Sequence, residues 1–190
     1  MIQNALSRAR WHHHPNATSP SSLMRDWLML KTSLTAQLRT RSNQFKVQRL
    51  HQRQGLCLAD ESALIGLPRR MRVREREVLL CCDGKPVVFA HTVVPLSASA
   101  SDWPMFRTLG ERSLGSTLFG DPAIQRGALQ YARLPHTHPL MRRIRTIVAP
   151  EQIESRLHAR RCLFRRGNGL MLVTEVFLPA ITQLICQQSN

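Results

Sequence analysis

The chain has 190 residues, 43% of them hydrophobic, which suits one domain with a sizeable core and argues against a disordered polymer. No apolar run reaches the roughly 20 residues of a membrane span, and the N-terminal stretch lacks a signal-peptide core, so a reduced cytoplasmic setting is expected. Lysine and arginine number 27 against 12 acids, and this formal charge of +15 suits nucleic acid, an anionic surface or small anions drawn into a pocket.

Residues 1–20 are polar and weakly periodic and read as a mobile arm, with His12, His13 and His14 as a solvated tail lacking a further metal ligand. The segment 21–190 reads as a single domain. Ser21 and Ser22 cap a helix carrying Leu23, Trp27, Leu28 and Leu30 at helical spacing. Ser33 opens a second helical stretch, with Leu34 and Leu38 inward, that ends near Thr40. Alternation from Phe45 to about Cys57 predicts a half-exposed strand. Residues 60–68 form a connection that Pro68 closes.

The stretch from Val73 to Leu96 organises the rest. Two β-prone runs flank Asp83-Gly84, a strong hairpin signal. Counting by twos, Arg74, Arg76, Val78, Leu80 and Cys82 share one face, and Glu75, Glu77, Leu79 and Cys81 share the other. Arg76 thus points the same way as an increasingly apolar row. A guanidinium held there is short of water and wants a carboxylate or an anionic ligand. An edge-strand arginine in solvent is the competing reading.

After a polar loop at 97–101, Asp102 is expected to cap a short helix with Trp103, Phe106 and Leu109, which Gly110 ends. Ser113 to Phe119 reads as another short helix, broken by Gly120-Asp121-Pro122. Ile124 to Leu134 reads as a strand with Leu129 and Tyr131 on one face. From Pro135 to Ser155 periodicity is lost. Pro135, Pro139 and Pro150, with His136 and His138, suggest a long excursion rather than a core element. Leu157–Arg166 and Leu170–Leu178 form a second hairpin about Gly167-Asn168-Gly169. Its second strand has a single charge, Glu175, facing the same way as Met171, Val173 and Phe177. Such a carboxylate is either poised for chemistry or paired with a cation that fixes register. The five cysteines show no metal-ligand spacing, and adjacent Cys81 and Cys82 argue against a disulfide framework.

Three segments, REVLLCCDGKP with HTVVP, then LGERSLGSTLF, then LMLVTEVFLPA, resemble the bacterial chorismate pyruvate-lyase family in order and spacing, and DWLMLKTSLTAQL fits more loosely. The resemblance implies an α+β fold, a single antiparallel β-sheet with helices packed on it over an internal ligand cavity. It implies conversion of chorismate to 4-hydroxybenzoate and pyruvate, the entry to ubiquinone biosynthesis, without metal or organic cofactor and by a monomer. By similarity Arg76 holds the ring carboxylate and Glu175 the other end of the ring, while Leu34 and Leu114 line the cavity. At position 34 the family commonly shows methionine. Departures are His91 where arginine often precedes TVVP, and Ser116-Thr117 where a basic residue is often found. Arg160 and Arg161 are candidates to replace those cations.

Two other function classes compete. Related folds serve as small-molecule sensor domains of transcription regulators, but no helix-turn-helix precedes the first hairpin. Nucleic-acid binding is disfavoured because the arginines are scattered outside residues 69–76, and six Phe, three Trp and one Tyr leave little to stack on bases.

Overall fold

Two-residue alternation drives six segments into one antiparallel sheet: β1 (Phe45–Leu56), β2 (Arg72–Cys82), β3 (Lys85–Pro95), β4 (Ile124–Pro135), β5 (Arg156–Arg166) and β6 (Gly169–Phe177). The computed structural model describes residues 8–148 and 153–184. The strand order is β1-β2-β3-β6-β5-β4. Asp83 and Gly84 both adopt positive φ, 49° and 79°, the geometry of a tight hairpin turn between β2 and β3. The long-range pairing of β3 with β6, from Val88↔Phe177 to Val93↔Leu172, joins the two hairpins. It sets Glu175 opposite Ala90 and two strands away from the row that carries Arg76.

Two helices close the front of this sheet. In α1 (Ser22–Met29) the Ser21 hydroxyl accepts from the Met24 N–H, and in α2 (Leu34–Thr40) the Ser33 hydroxyl accepts from the Ala36 N–H, both at 3.3 Å. Their buried residues, Trp27, Leu28, Leu34 and Leu38, pack on Val78, Leu80 and Phe177. A third short helix, α3 (Leu114–Gly120), follows a loop whose Trp103 and Phe106 are fully buried against Phe164 and Met171. The helix expected after Asp102 is a single 3-10 turn, Pro104–Thr108, with Trp103 at its cap and no side-chain capping bond. Asp102 is turned instead toward the second hairpin, where its carbonyl accepts from the Arg166 guanidinium at 3.0 Å.

The segment 135–155 corrects the expectation of an excursion outside the core. It contains α4 (Pro139–Arg145), started by the His138 ring, which accepts from the Leu140 N–H at 3.3 Å, and by Pro139 in the first turn. Leu140, Met141 and Ile144 are fully buried on the back of the sheet against Leu79, Phe89, Ala159 and Val176. Pro139 starts this helix rather than breaking one, and histidine is an uncommon cap, so its N-terminal signal was faint. Pro150 lies outside the described residues.

The mobile-arm reading fails for residues 8–20, which lie against the sheet. His12 pairs with Tyr131 through two backbone bonds of 2.8 Å, the Trp11 indole donates to Asp60 at 2.8 Å, and Pro15 and Thr18 are buried in a 3-10 turn. Residues 1–7 lie outside the described residues. The four described cysteines, Cys57, Cys81, Cys82 and Cys162, are buried free thiols.

Ile144→Ala tests the corrected role of α4. Loss of a fully buried side chain should lower the urea unfolding free energy by about 2–4 kcal/mol, whereas an excursion loop would tolerate it within about 0.5 kcal/mol.

Candidate active site

A cavity lies between the front face, α2 and α3. Its floor comes from Arg76, Val78 and Leu80 of β2, Ala90 and Thr92 of β3, Val173 and Glu175 of β6, and Cys162 and Phe164 of β5. Two lids roof it, one from Thr32 to Thr35 and one from Ser113 to Phe119. The lids touch, the Ser113 hydroxyl donating to the Thr35 hydroxyl at 2.8 Å. Gly115 permits that approach, since a Cβ there would lie 2.9 Å from the Ser33 hydroxyl.

All four residues singled out from sequence line this one space. Leu34 and Leu114 are apolar contacts on opposite lids. Arg76 is 2% exposed, and no carboxylate among the described residues lies within ion-pair reach of it. One terminal nitrogen donates to the Gly110 and Arg112 carbonyls at 2.9 Å each, which fixes the loop ahead of α3, while Nε is buried without a partner. Burial, then the nearby charge of Arg49, brings the Arg76 pKa down to about 10, so it remains a cation at neutral pH. A buried, desolvated cation with free donors facing an enclosed space is a site for an anion.

Glu175 is paired with a cation and also lines the cavity. Its Oε2 accepts from Arg160 Nε at 2.6 Å. Arg160 also donates to the carbonyls of Trp27, Leu28 and Leu30, at 3.1, 3.4 and 2.9 Å, holding the end of α1 and the start of the first lid. Two strands apart at about 4.8 Å each, and two residues along, the Arg76 and Glu175 backbones stand on the order of 12 Å apart. Two inward side chains and one six-membered ring fill such a gap.

Comparison with known proteins supplies the family. A family model described as chorismate lyase matches residues 5–188. The chain belongs to the chorismate lyase family. A probable chorismate pyruvate-lyase of Cupriavidus metallidurans is 47% identical over 173 residues, 90% of this chain and 81% of that protein. One of Dechloromonas aromatica is 41% identical over 179 residues, 94% and 99% of the two chains. The effector domain of PhnF from Mycobacterium smegmatis superposes with a TM-score of 0.51 at 12% identity, over 78% of this chain and 89% of that one. The C-terminal domain of a histidine utilization repressor from Pseudomonas syringae pv. tomato gives 0.51 at 9%, over 77% and 100%. These two likenesses are of fold alone.

Membership does not make His91 or Arg161 part of the cavity. Both face the back of the sheet, so neither meets an anion bound in front. Arg161 Nε donates to Gln130 at 2.8 Å and its guanidinium lies 4.0 Å from the Trp11 ring centre. His91 is fully enclosed, with Nδ1 2.9 Å from Glu77 and Nε2 3.1 Å from Glu61. Glu77 and Glu75 also pair with Arg143 from α4, and His51 lies 3.1 Å from Glu75. Ligand atoms of His51, Glu75 and Glu77 lie within 4.8 Å of one another, but Arg143 already supplies the cation between these carboxylates.

Arg126 is a cavity residue that the sequence reading passed over. Simple alternation from Leu129 and Tyr131 turns it to the opposite face. A register shift between Arg126 and Leu129 reverses that parity, and nothing local in the sequence marks it.

The back-face cluster predicts two limits of stability. Burial opposes the His91 cation, but Glu61 and Glu77 raise its pKa from 6.5 to about 9, so its contribution is complete below pH 6.5 and is lost as pH rises through about 9. Burial opposes the Glu77 anion, but His91 and Arg143 lower it from 4.5 to about 2, so its contribution is present above pH 4.5 and is lost as pH falls through about 2. Urea unfolding should therefore show declining stability from pH 6.5 to 9, and His91→Gln should flatten that limb. An equal slope in the variant would rule out the His91 assignment.

Proposed function

We propose that the enclosed chamber is where chorismate is split into 4-hydroxybenzoate and pyruvate, with Arg76 and Glu175 as the catalytic pair. The carrying observation is a buried guanidinium with no carboxylate partner among the described residues, placed across one cavity from a carboxylate. Arg76 takes the ring carboxylate through the terminal nitrogen left free by the Gly110 and Arg112 carbonyls. Glu175, fixed by Arg160, accepts a hydrogen bond from the C4 hydroxyl at the far end of the ring. Leu34 and Leu114 cover the ring from the two lids.

The reaction asks little of the protein beyond holding a reactive conformer. The C4–H bond breaks and its electron pair becomes the third double bond of the ring. The C3–O bond breaks and its pair leaves with the enolpyruvyl oxygen. The C4 hydrogen is lost as a proton and the methylene carbon takes one up, giving the methyl group of pyruvate. Aromatisation drives the sequence downhill, so positioning and exclusion of water carry the catalysis. A metal or organic cofactor has no step to perform in this scheme.

A sensor role would need the same anion site without turnover. Relatives at 41–47% identity named as probable lyases favour the enzyme. Among the described residues no helix is long and apolar enough to cross a membrane. A cytoplasmic monomer is part of the same reading, its one domain taking in residues 8–20, which pack on the sheet.

Purified protein with chorismate, followed by loss of chorismate absorbance and by pyruvate release, tests the reading. Arg76→Ala should lower kcat/KM by at least about a hundredfold, because a buried charge-assisted contact is removed. Glu175→Gln should lower kcat with a smaller change in KM. Near-normal kinetics in Arg76→Ala would refute the assignment.

A further inference from the structure

Chorismate carries two carboxylates, and Arg76 accounts for one. Among the described residues lining the cavity the charged groups are Arg76, Arg126, Arg160 and Glu175. Three guanidiniums against one carboxylate leave two positive charges, which matches a dianion. Arg160 is committed, its Nε to Glu175 and one terminal nitrogen to three backbone carbonyls. Arg126 is not. Its Nε is buried and has no hydrogen-bond partner, as in Arg76.

Its placement is equally specific. Arg126 lies opposite Phe164 on the edge strand, four strands from Arg76, so the two guanidiniums reach the cavity from opposite walls. The bulge that follows it turns the side chain inward, and bulges beside active sites commonly re-aim a single residue. One terminal nitrogen of Arg126 donates to the Lys31 carbonyl on the first lid, and the guanidinium lies 5.3 Å from the Phe119 ring centre on the second. The side chain therefore sits where the two lids meet.

We propose that Arg126 is a second substrate-binding residue, which takes the carboxylate of the enolpyruvyl side chain. This deepens the lyase reading and rests on it. With ring carboxylate, C4 hydroxyl and side-chain carboxylate each held, the enolpyruvyl ether has one orientation over the ring. The same contact ties substrate binding to lid closure, since the residue that takes the anion also touches both lids. After cleavage the two anions separate, 4-hydroxybenzoate on Arg76 and pyruvate on Arg126.

Of the two ligands only chorismate carries this carboxylate, which gives a direct test. Steady-state kinetics with chorismate and calorimetric binding of 4-hydroxybenzoate are compared for wild type, Arg126→Gln and Arg126→Lys. Arg126→Gln should raise KM for chorismate and lower kcat/KM by at least about tenfold, the scale of one charged hydrogen bond. Its affinity for 4-hydroxybenzoate should stay within about twofold of wild type, which also reports an intact fold. Arg126→Lys should recover part of the chorismate loss. Unchanged chorismate kinetics, or parallel loss of both affinities, would overturn the assignment and leave Arg126 as a lid fastening. Wild-type protein that leaves chorismate intact would remove the parent reading and this one together, an outcome distinct from either.

Discussion

The architecture is arranged around one electrostatic constraint: a guanidinium taken out of water with no carboxylate to neutralise it. Such a group costs several kcal/mol unless hydrogen bonds and a counter-ion compensate. For Arg76 the Gly110 and Arg112 carbonyls supply part of that compensation, and in the proposed function the substrate carboxylate supplies the rest. The bonds to those carbonyls also bind the floor of the chamber to the loop that carries its second lid. Anion binding and lid position are thus linked through one side chain.

The two faces of the sheet handle buried charge in opposite ways. On the back, Glu61, Glu75 and Glu77 are matched by His91, Arg143 and Arg53, so this side holds its own counter-ions. In front, three guanidiniums meet one carboxylate, and in the proposed function a dianionic substrate completes the balance. Residues 75, 76 and 77 alternate between these two worlds within a single strand. The back-face cluster anchors β2 from behind and leaves the Arg76 side chain to be oriented by the cavity.

Arg160 and Arg126 show how helices and sheet cooperate in a chamber built mostly from strands. Arg160 reaches from β5 past Glu175 to the C-terminal carbonyls of α1, so the carboxylate and the first lid share one support. Arg126 reaches from the edge strand to the seam of both lids. The PhnF effector domain and the repressor C-terminal domain share this fold at 12% and 9% identity, so the scaffold itself does not dictate chemistry. What distinguishes this chain is the charge placed inside it.

Local pattern alone determined much of this protein. The Asp83-Gly84 turn, the alternating faces of β2, the apolar row around Glu175 and the serine caps of α1 and α2 are short-range properties, each legible within a few residues. The motifs around Arg76 and Glu175 pointed to the family for the same reason. Tertiary structure decided the rest. Pairing of β3 with β6 brought Arg76 and Glu175, residues 99 positions apart, to one cavity. The bulge after Arg126 reversed the parity that alternation assigns. The back of the sheet drew Pro139–Arg145 into a core helix although its prolines read as breakers, and sheet edges drew residues 8–20 out of solution. Alternation is read from neighbours, but which face becomes a chamber depends on what packs over it, and that is settled by contacts far apart along the chain.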